Sequence, residues 1–137
     1  MIRNPHSTRP WQHVLEPLLG YLVLAERLAT DGASFAGAWN FGPNVDAVRP
    51  VSELADAICS LWGRGAAWHS ADAPAPHEAG ILALDASKAR DRMAWRPRLG
   101  LKDALEWTVA WRKAFDRKED MRDYSVRQIH HYETLTP

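Results

Sequence analysis

Two prolines bracket one short stretch near the start of the chain, Ser7-Thr8-Arg9-Pro10-Trp11-Gln12-His13-Val14-Leu15-Glu16-Pro17, and they leave its backbone few options. Proline locks φ and removes a backbone donor. Pro10 therefore confines the segment Arg9 to Val14 to an edge strand or a strand entry. Pro17 suits the first turn of a helix, where its missing N–H would be unpaired anyway. Beyond it, Leu18, Tyr21, Leu22, Ala25 and Leu28 follow helical spacing, and Asp31-Gly32 marks the end. The stretch reads as an extended segment that delivers polar side chains to a site, with a helix leaving behind it. Met1 lies only a few residues upstream, so the chain is expected to begin where a functional segment is already under way.

The remaining elements interleave. Met1 to Asn4 predicts a short strand ending at Asn-Pro. Ala38-Trp39-Asn40-Phe41-Gly42-Pro43 predicts an aromatic strand stopped by Gly-Pro. Ser52 is placed to cap a helix carrying Leu54, Ala55, Ile58, Cys59 and Trp62, with Gly63 past its end. Ala66 to His69 predicts another strand, and Asp72 to Glu78 a proline-rich loop. Ile81 to Asp85 predicts a strand whose Asp85 caps a short helix, Ala86 to Met93, which Trp95-Arg96-Pro97 breaks. Leu101 to Phe115 is a second strongly periodic helix. A charged hinge, Asp116 to Asp120, leads into a last helix bearing Tyr124, Ile129 and Tyr132. Strands and helices in alternation place the chain in the α/β or α+β class.

Composition excludes several functions. With 137 residues, 46% of them hydrophobic and 25% charged, one domain with a modest core is expected rather than disorder. Seventeen basic and seventeen acidic residues cancel, so no electrostatic footprint for nucleic acid is present. The richest apolar run, Leu18 to Ala25, is too short to span a bilayer. The single Cys59 rules out an internal disulfide, fits a cytoplasmic protein, and reads as a small buried hydrophobe rather than a nucleophile. No glycine-rich dinucleotide turn, Walker loop, Gly-x-Ser-x-Gly elbow or metal-ligand spacing occurs, and His130-His131 reads as a solvated pair on a polar helix. Seven tryptophans are many for this length and point to a large apolar surface.

Two polar clusters remain. For Arg9, Trp11, Gln12 and His13, two readings fit. One is an edge strand whose arginine pairs with a local carboxylate. The other is anion recognition, because guanidinium presents a fork of donors matched to phosphate oxygens. Pro76-His77-Glu78 likewise reads either as an exposed loop with a capping Glu, or as a loop in which Glu78 accepts from a sugar hydroxyl while His77 donates to an oxygen or stacks on a base.

The run from Arg9 to Pro17 resembles a signature stretch of CDP-glucose 4,6-dehydratases, which are extended short-chain dehydrogenase/reductases acting on nucleotide sugars. The resemblance continues through Trp39-Asn40-Phe41-Gly42-Pro43, Pro76-His77-Glu78-Ala79, Leu82-Ala83-Leu84-Asp85-Ala86-Ser87-Lys88-Ala89, Trp95-Arg96-Pro97 and Gln128-Ile129. The Trp-Asn-Phe-Gly and Asp-x-Ser-Lys-Ala motifs are shared widely among nucleotide-sugar epimerases and dehydratases. The first stretch and Pro-His-Glu-Ala point to CDP-glucose.

The resemblance implies an α/β fold: the C-terminal, sugar-nucleotide-binding portion of an extended Rossmann-type short-chain dehydrogenase, lacking the N-terminal dinucleotide-binding part. Residues 1–137 would then be a single partial domain. It implies a lyase in which enzyme-held NAD takes hydride from C4 of the sugar, water leaves across C5 and C6, and hydride returns to C6, giving CDP-4-keto-6-deoxyglucose. The glycine-rich turn and Tyr-x-x-x-Lys pair of the family are absent, since none of Tyr21, Tyr124 and Tyr132 has a Lys four residues later. The chain alone is therefore expected to be inactive, with no catalytic, NAD-binding or metal-binding residue of its own. What carries over is substrate binding: Arg9 to the pyrophosphate, and His77 and Glu78 to the ribose and phosphate region. In related epimerases that loop carries an Arg and an Asp, where this chain has His77 and Gly80. The expected partner is a nucleotide sugar, with no nucleic acid or membrane, and the parent enzyme is expected to be a homo-oligomer. A sibling dehydratase or epimerase using another nucleotide, and a non-catalytic binding module or gene remnant, are the alternatives. The family fold would also cover the Trp39 to Gly42 strand and the apolar face of the Leu18 to Leu28 helix, so the isolated chain is expected to be marginally stable, sticky, or dependent on a partner fragment.

Overall fold

The computed structural model describes residues 1–71 and 79–137. Its elements are β1 (Thr8–Pro10), α1 (Leu15–Asp31), β2 (Val48–Pro50), α2 (Val51–Trp62), α3 (Ser87–Met93), α4 (Leu101–Asp116) and α5 (Met121–Thr134), with single 3-10 turns at Gly32–Phe35 and Val45–Ala47. Helix dominates. The sheet is one antiparallel ribbon, β1 against β2, with Arg9 opposite Arg49 and flanking pairs Thr8–Pro50 and Pro10–Val48. No Rossmann sheet is present among the described residues, so the α/β expectation holds only as a mixture of helix and strand.

The long helices form where periodicity places them. α1 ends at Gly32, whose positive φ of 59° suits glycine. Pro17 sits at the third position of α1, inside the first turn, where no N–H is needed. Ser52 does not cap α2. The helix begins at Val51, and its first amides donate instead to carbonyls of the distant segment that leads into β1, Val51 N–H to Ser7 O at 3.0 Å and Ser52 N–H to Pro5 O at 2.8 Å. Tertiary acceptors thus replace a side-chain cap. At the other end of α2, Lys113 Nζ donates to Leu61 O, satisfying a last-turn carbonyl. α5 is capped by Asp120, which accepts from the amides of Arg122 and Asp123. Asp85 accepts the Ser87 amide at 2.8 Å as α3 opens, and its hydrogen bonds from Ser87 hold its carboxyl below the usual range.

The expected strands are the main correction. Arg9 to Val14 yields only β1, which ends at Pro10. Met1 to Asn4 contributes one bridge, Ile2 to Ser70; Ala66 to His69 forms no strand; and Ile81 to Asp85 contributes one parallel bridge, Ile81 to Thr8. Trp39 to Gly42 is irregular. A strand needs a ladder partner, and here side chains take the carbonyls: Lys88 Nζ donates to Ala38 O at 2.9 Å and Gln12 Nε2 to Phe41 O at 2.8 Å.

Phe41 nevertheless anchors the core, packed with Ala86, Ala89, Met93 and Trp95 against Leu19, Val23 and Leu24 of α1. Its ring lies edge-on to Trp95 and to Tyr21. A Cβ at Gly20 would fall inside the Phe41 ring, so glycine is required there by close approach rather than by backbone conformation. The other side of α1 is bare. Leu18 and Leu22 are 46% and 69% exposed, leaving a helix that is apolar on both faces but covered on one. No helix among the described residues is long and apolar enough to cross a membrane.

Candidate anion-binding site

The stretch from Thr8 to Glu16 is held residue by residue. At the centre of β1, Arg9 turns its Nη1 to the carbonyls of Thr8, at 2.8 Å, and Ala79, at 2.9 Å. The guanidinium is thereby fixed at the edge of the ribbon, against the residue that follows Glu78 in sequence. Thr8 also donates to Gly80 O and accepts from the Leu82 amide, so the 79–82 segment runs beside β1. His77 and Glu78 themselves lie outside the described residues.

The next three side chains serve the backbone. Trp11 Nε1 donates to Arg49 O at 2.9 Å, locking the end of β1 onto β2. Gln12 reaches Phe41 O. His13 is buried, 6% exposed, and its Nδ1 accepts the Leu15 amide at 3.3 Å, an acceptor for the first turn of α1. Accepting at Nδ1 places the ring proton on Nε2. Burial pushes the His13 pKa down, favouring this neutral form. The ring meets the Trp107 indole edge-on, and His131, exposed on α5, lies against the same indole.

Glu16 is the residue that sequence patterns missed. It is fully buried, yet each carboxylate oxygen is satisfied. Oε1 accepts from the amides of Leu99 at 2.7 Å and Arg98 at 3.0 Å, and Oε2 from the Tyr132 hydroxyl at 2.7 Å. A buried charge is tolerable only with such a set of donors. In sequence, an acidic residue in a first helical turn signals no more than a favourable dipole contact. One carboxylate thus ties the ribbon's exit to the turn before α4 and to the end of α5.

A guanidinium presents a fork of donors that can match an anion's oxygens. Arg9 is a fixed guanidinium on a ribbon. Cys59 is half-buried on α2, and among the described residues no group of His, Cys, Asp and Glu could hold a metal ion. A cleft of about 430 Å³ opens beside Gln12 and His13 against α4 and α5, with Trp111 and Ile129 in its wall, but Arg9 does not line it.

No protein-family model matches the chain. Over 136 residues, 99% of its length, the chain is 48% identical to the CDP-glucose 4,6-dehydratase of Salmonella typhimurium. The chain spans 38% of the length of that enzyme. The resemblance seen in separate motifs is therefore carried by identity along nearly the whole chain.

Proposed function

We propose that the chain is the nucleotide-sugar-binding, C-terminal portion of an NAD-dependent CDP-glucose 4,6-dehydratase, a single partial domain that does not turn substrate over alone. The observation that carries this reading is the 48% identity over 136 residues. Arg9, fixed at the ribbon edge, is the group that receives the diphosphate. His77 and Glu78 hold the ribose and phosphate region, a role that rests on the resemblance alone.

NAD does not fit the residues described. A dinucleotide pyrophosphate needs a glycine-rich turn between strand and helix, so that backbone amides can approach it. The strand-to-helix passages here are Trp11-Gln12-His13-Val14 and Pro50-Val51, and neither contains glycine. No redox step is therefore derived from this chain. The cofactor and the acid/base groups belong, on this reading, to the further length that the Salmonella enzyme has. That length would also supply a cover for the bare face of α1.

The test is calorimetric titration of the purified chain with CDP, UDP, GDP and dTDP. CDP is expected to bind at least about tenfold tighter than the others, equivalent to ~1.4 kcal/mol. Equal binding of all four, or formation of a 4-keto sugar by this chain alone, overturns the reading.

A further inference from the structure

Acidic and basic residues are equal in number along the chain, yet they are not evenly spread. At the end of α2 away from β2, about 16 Å along the helix axis, a hollow of about 340 Å³ is lined by Trp62, Arg64, Lys113, Asp116 and Arg117. Two segments meet there, the turn after α2 and the end of α4, and they bring three cations and one carboxylate. Asp116 is already matched on α4, where its Oδ1 accepts from Arg112 Nε at 3.1 Å. The hollow therefore holds a positive excess in a chain of zero net charge.

Helix ends account for part of this. Cations are favoured near helix C-termini, and Lys113 serves one by donating to Leu61 O at 2.9 Å while keeping further N–H donors. Arg117 bonds Glu119 Oε1 through Nε and Nη2, but these side chains are 60% and 37% exposed, and an exposed pair contributes little. Arg64 is different. Its exposed side chain makes no hydrogen bond or ion pair among the described residues. Its φ of 56° lies in the left-handed region that side chains disfavour, between Gly63 at 73° and Gly65 at 72°. The turn is fixed by Gly63 N–H to Cys59 O at 3.0 Å and Ala66 N–H to Gly63 O at 3.1 Å. A third glycine would suit this backbone with less strain, so the guanidinium is carried against a conformational cost that no contact in the described fold offsets.

We propose that the turn after α2 and the end of α4 form a phosphate-binding site, with Arg64 closing on an anion held by Lys113 and Arg117 beside the Trp62 indole. Guanidinium forks match phosphate oxygens, and the ammonium adds a point charge. The site lies a helix length from the ribbon and is independent of the nucleotide-sugar reading. Free inorganic phosphate and a phosphate monoester share the chemistry it recognises.

The experiment titrates the purified chain with inorganic phosphate, methyl phosphate and pyrophosphate, following the backbone amide signals of Gly63 and Gly65 by NMR, so that any binding at Arg9 is read separately. Phosphate should shift both signals saturably, and pyrophosphate should do so at lower concentration. Arg64→Gln should weaken binding about tenfold, as loss of one charge-assisted fork predicts. Arg64→Gly, which suits the backbone, should lose binding alike without lowering the melting temperature. Asp116→Asn removes the carboxylate from the wall and should tighten binding about threefold. Arg122→Gln, at an exposed cation on α5, is the control and should bind as the parent does. Methyl phosphate binding as tightly as phosphate assigns the site to monoesters, and weaker binding assigns it to the free ion. Undiminished phosphate binding in Arg64→Gln overturns the proposal. So do shifts that fail to saturate, or an equal loss in Arg122→Gln, either of which reduces the effect to diffuse screening.

Discussion

The Tyr132 hydroxyl donates to Glu16 Oε2 at 2.7 Å, joining residues 116 positions apart in a buried contact. It is the third donor to a carboxylate that already accepts two amides. Tyr132→Phe removes one charge-assisted bond and should cost about 1.5–3 kcal/mol. Glu16→Ala strands two amides and a phenol together and should cost more, about 3 kcal/mol or above. Urea unfolding of both variants checks the order. A Glu16→Ala protein as stable as Tyr132→Phe would mean that the amides find other acceptors.

The same contact sets an alkaline limit. Burial, with Glu16 beside it, pushes the Tyr132 pKa up from an ordinary 10.0. Above about pH 10 the unfolded chain releases the phenolic proton while the folded chain keeps it, so the unfolded state binds fewer protons and stability falls as pH rises. Melting temperature should drop across that range, and Tyr132→Phe should show a shallower drop.

On the acid side the sign reverses. His13 is neutral in the fold and its pKa is lowered from 6.5 by burial. Below about pH 6.5 the unfolded chain gains a proton that the folded chain refuses, so stability falls as pH falls. His13→Asn keeps an oxygen in reach of the Leu15 amide without the titration. Its stability should be flatter between pH 7 and 5 in thermal melts, at the expense of packing on Trp107.

Gly20→Ala tests packing against propensity. Alanine in the middle of a helix gains about 1 kcal/mol over glycine. A methyl here would enter the Phe41 ring, which Trp95 and Tyr21 hem in. Overpacking costs about 1–3 kcal/mol, so the variant should be less stable than the parent in chemical denaturation. A gain in stability would show that Phe41 can move.

Leu18 and Leu22, on the bare side of α1, give the opposite outcome. Leu22→Glu should leave unfolding free energy within about 0.5 kcal/mol while lowering concentration-dependent light scattering. Scattering identical to the parent would place the sticky surface elsewhere, with Ile81, 75% exposed, the next to change.

The helices were legible because their information is local. Periodicity in α1 and α4, and the glycines after α1 and α2, mark their ends within a few residues. Strands were not, because pairing depends on distant chain. Val48–Pro50 carries no alternation to announce it, whereas the aromatic Trp39 to Phe41 run has strand-like residues and no ladder. The place of Arg9 could be read from the prolines around it. Glu16 could not, since its significance lies in donors from residues 98, 99 and 132.

The hold on the segment from Ala38 to Phe41 has a further consequence. Its Ala38 and Phe41 carbonyls are served by two flexible side chains, Lys88 and Gln12, rather than by a neighbouring strand. A ladder is lost as a unit, but these bonds are separable. A strand arriving alongside can substitute its own amides one at a time, at nearly constant hydrogen-bond count. The segment is therefore convertible: what is loop here can become the edge of a sheet without first being stripped bare.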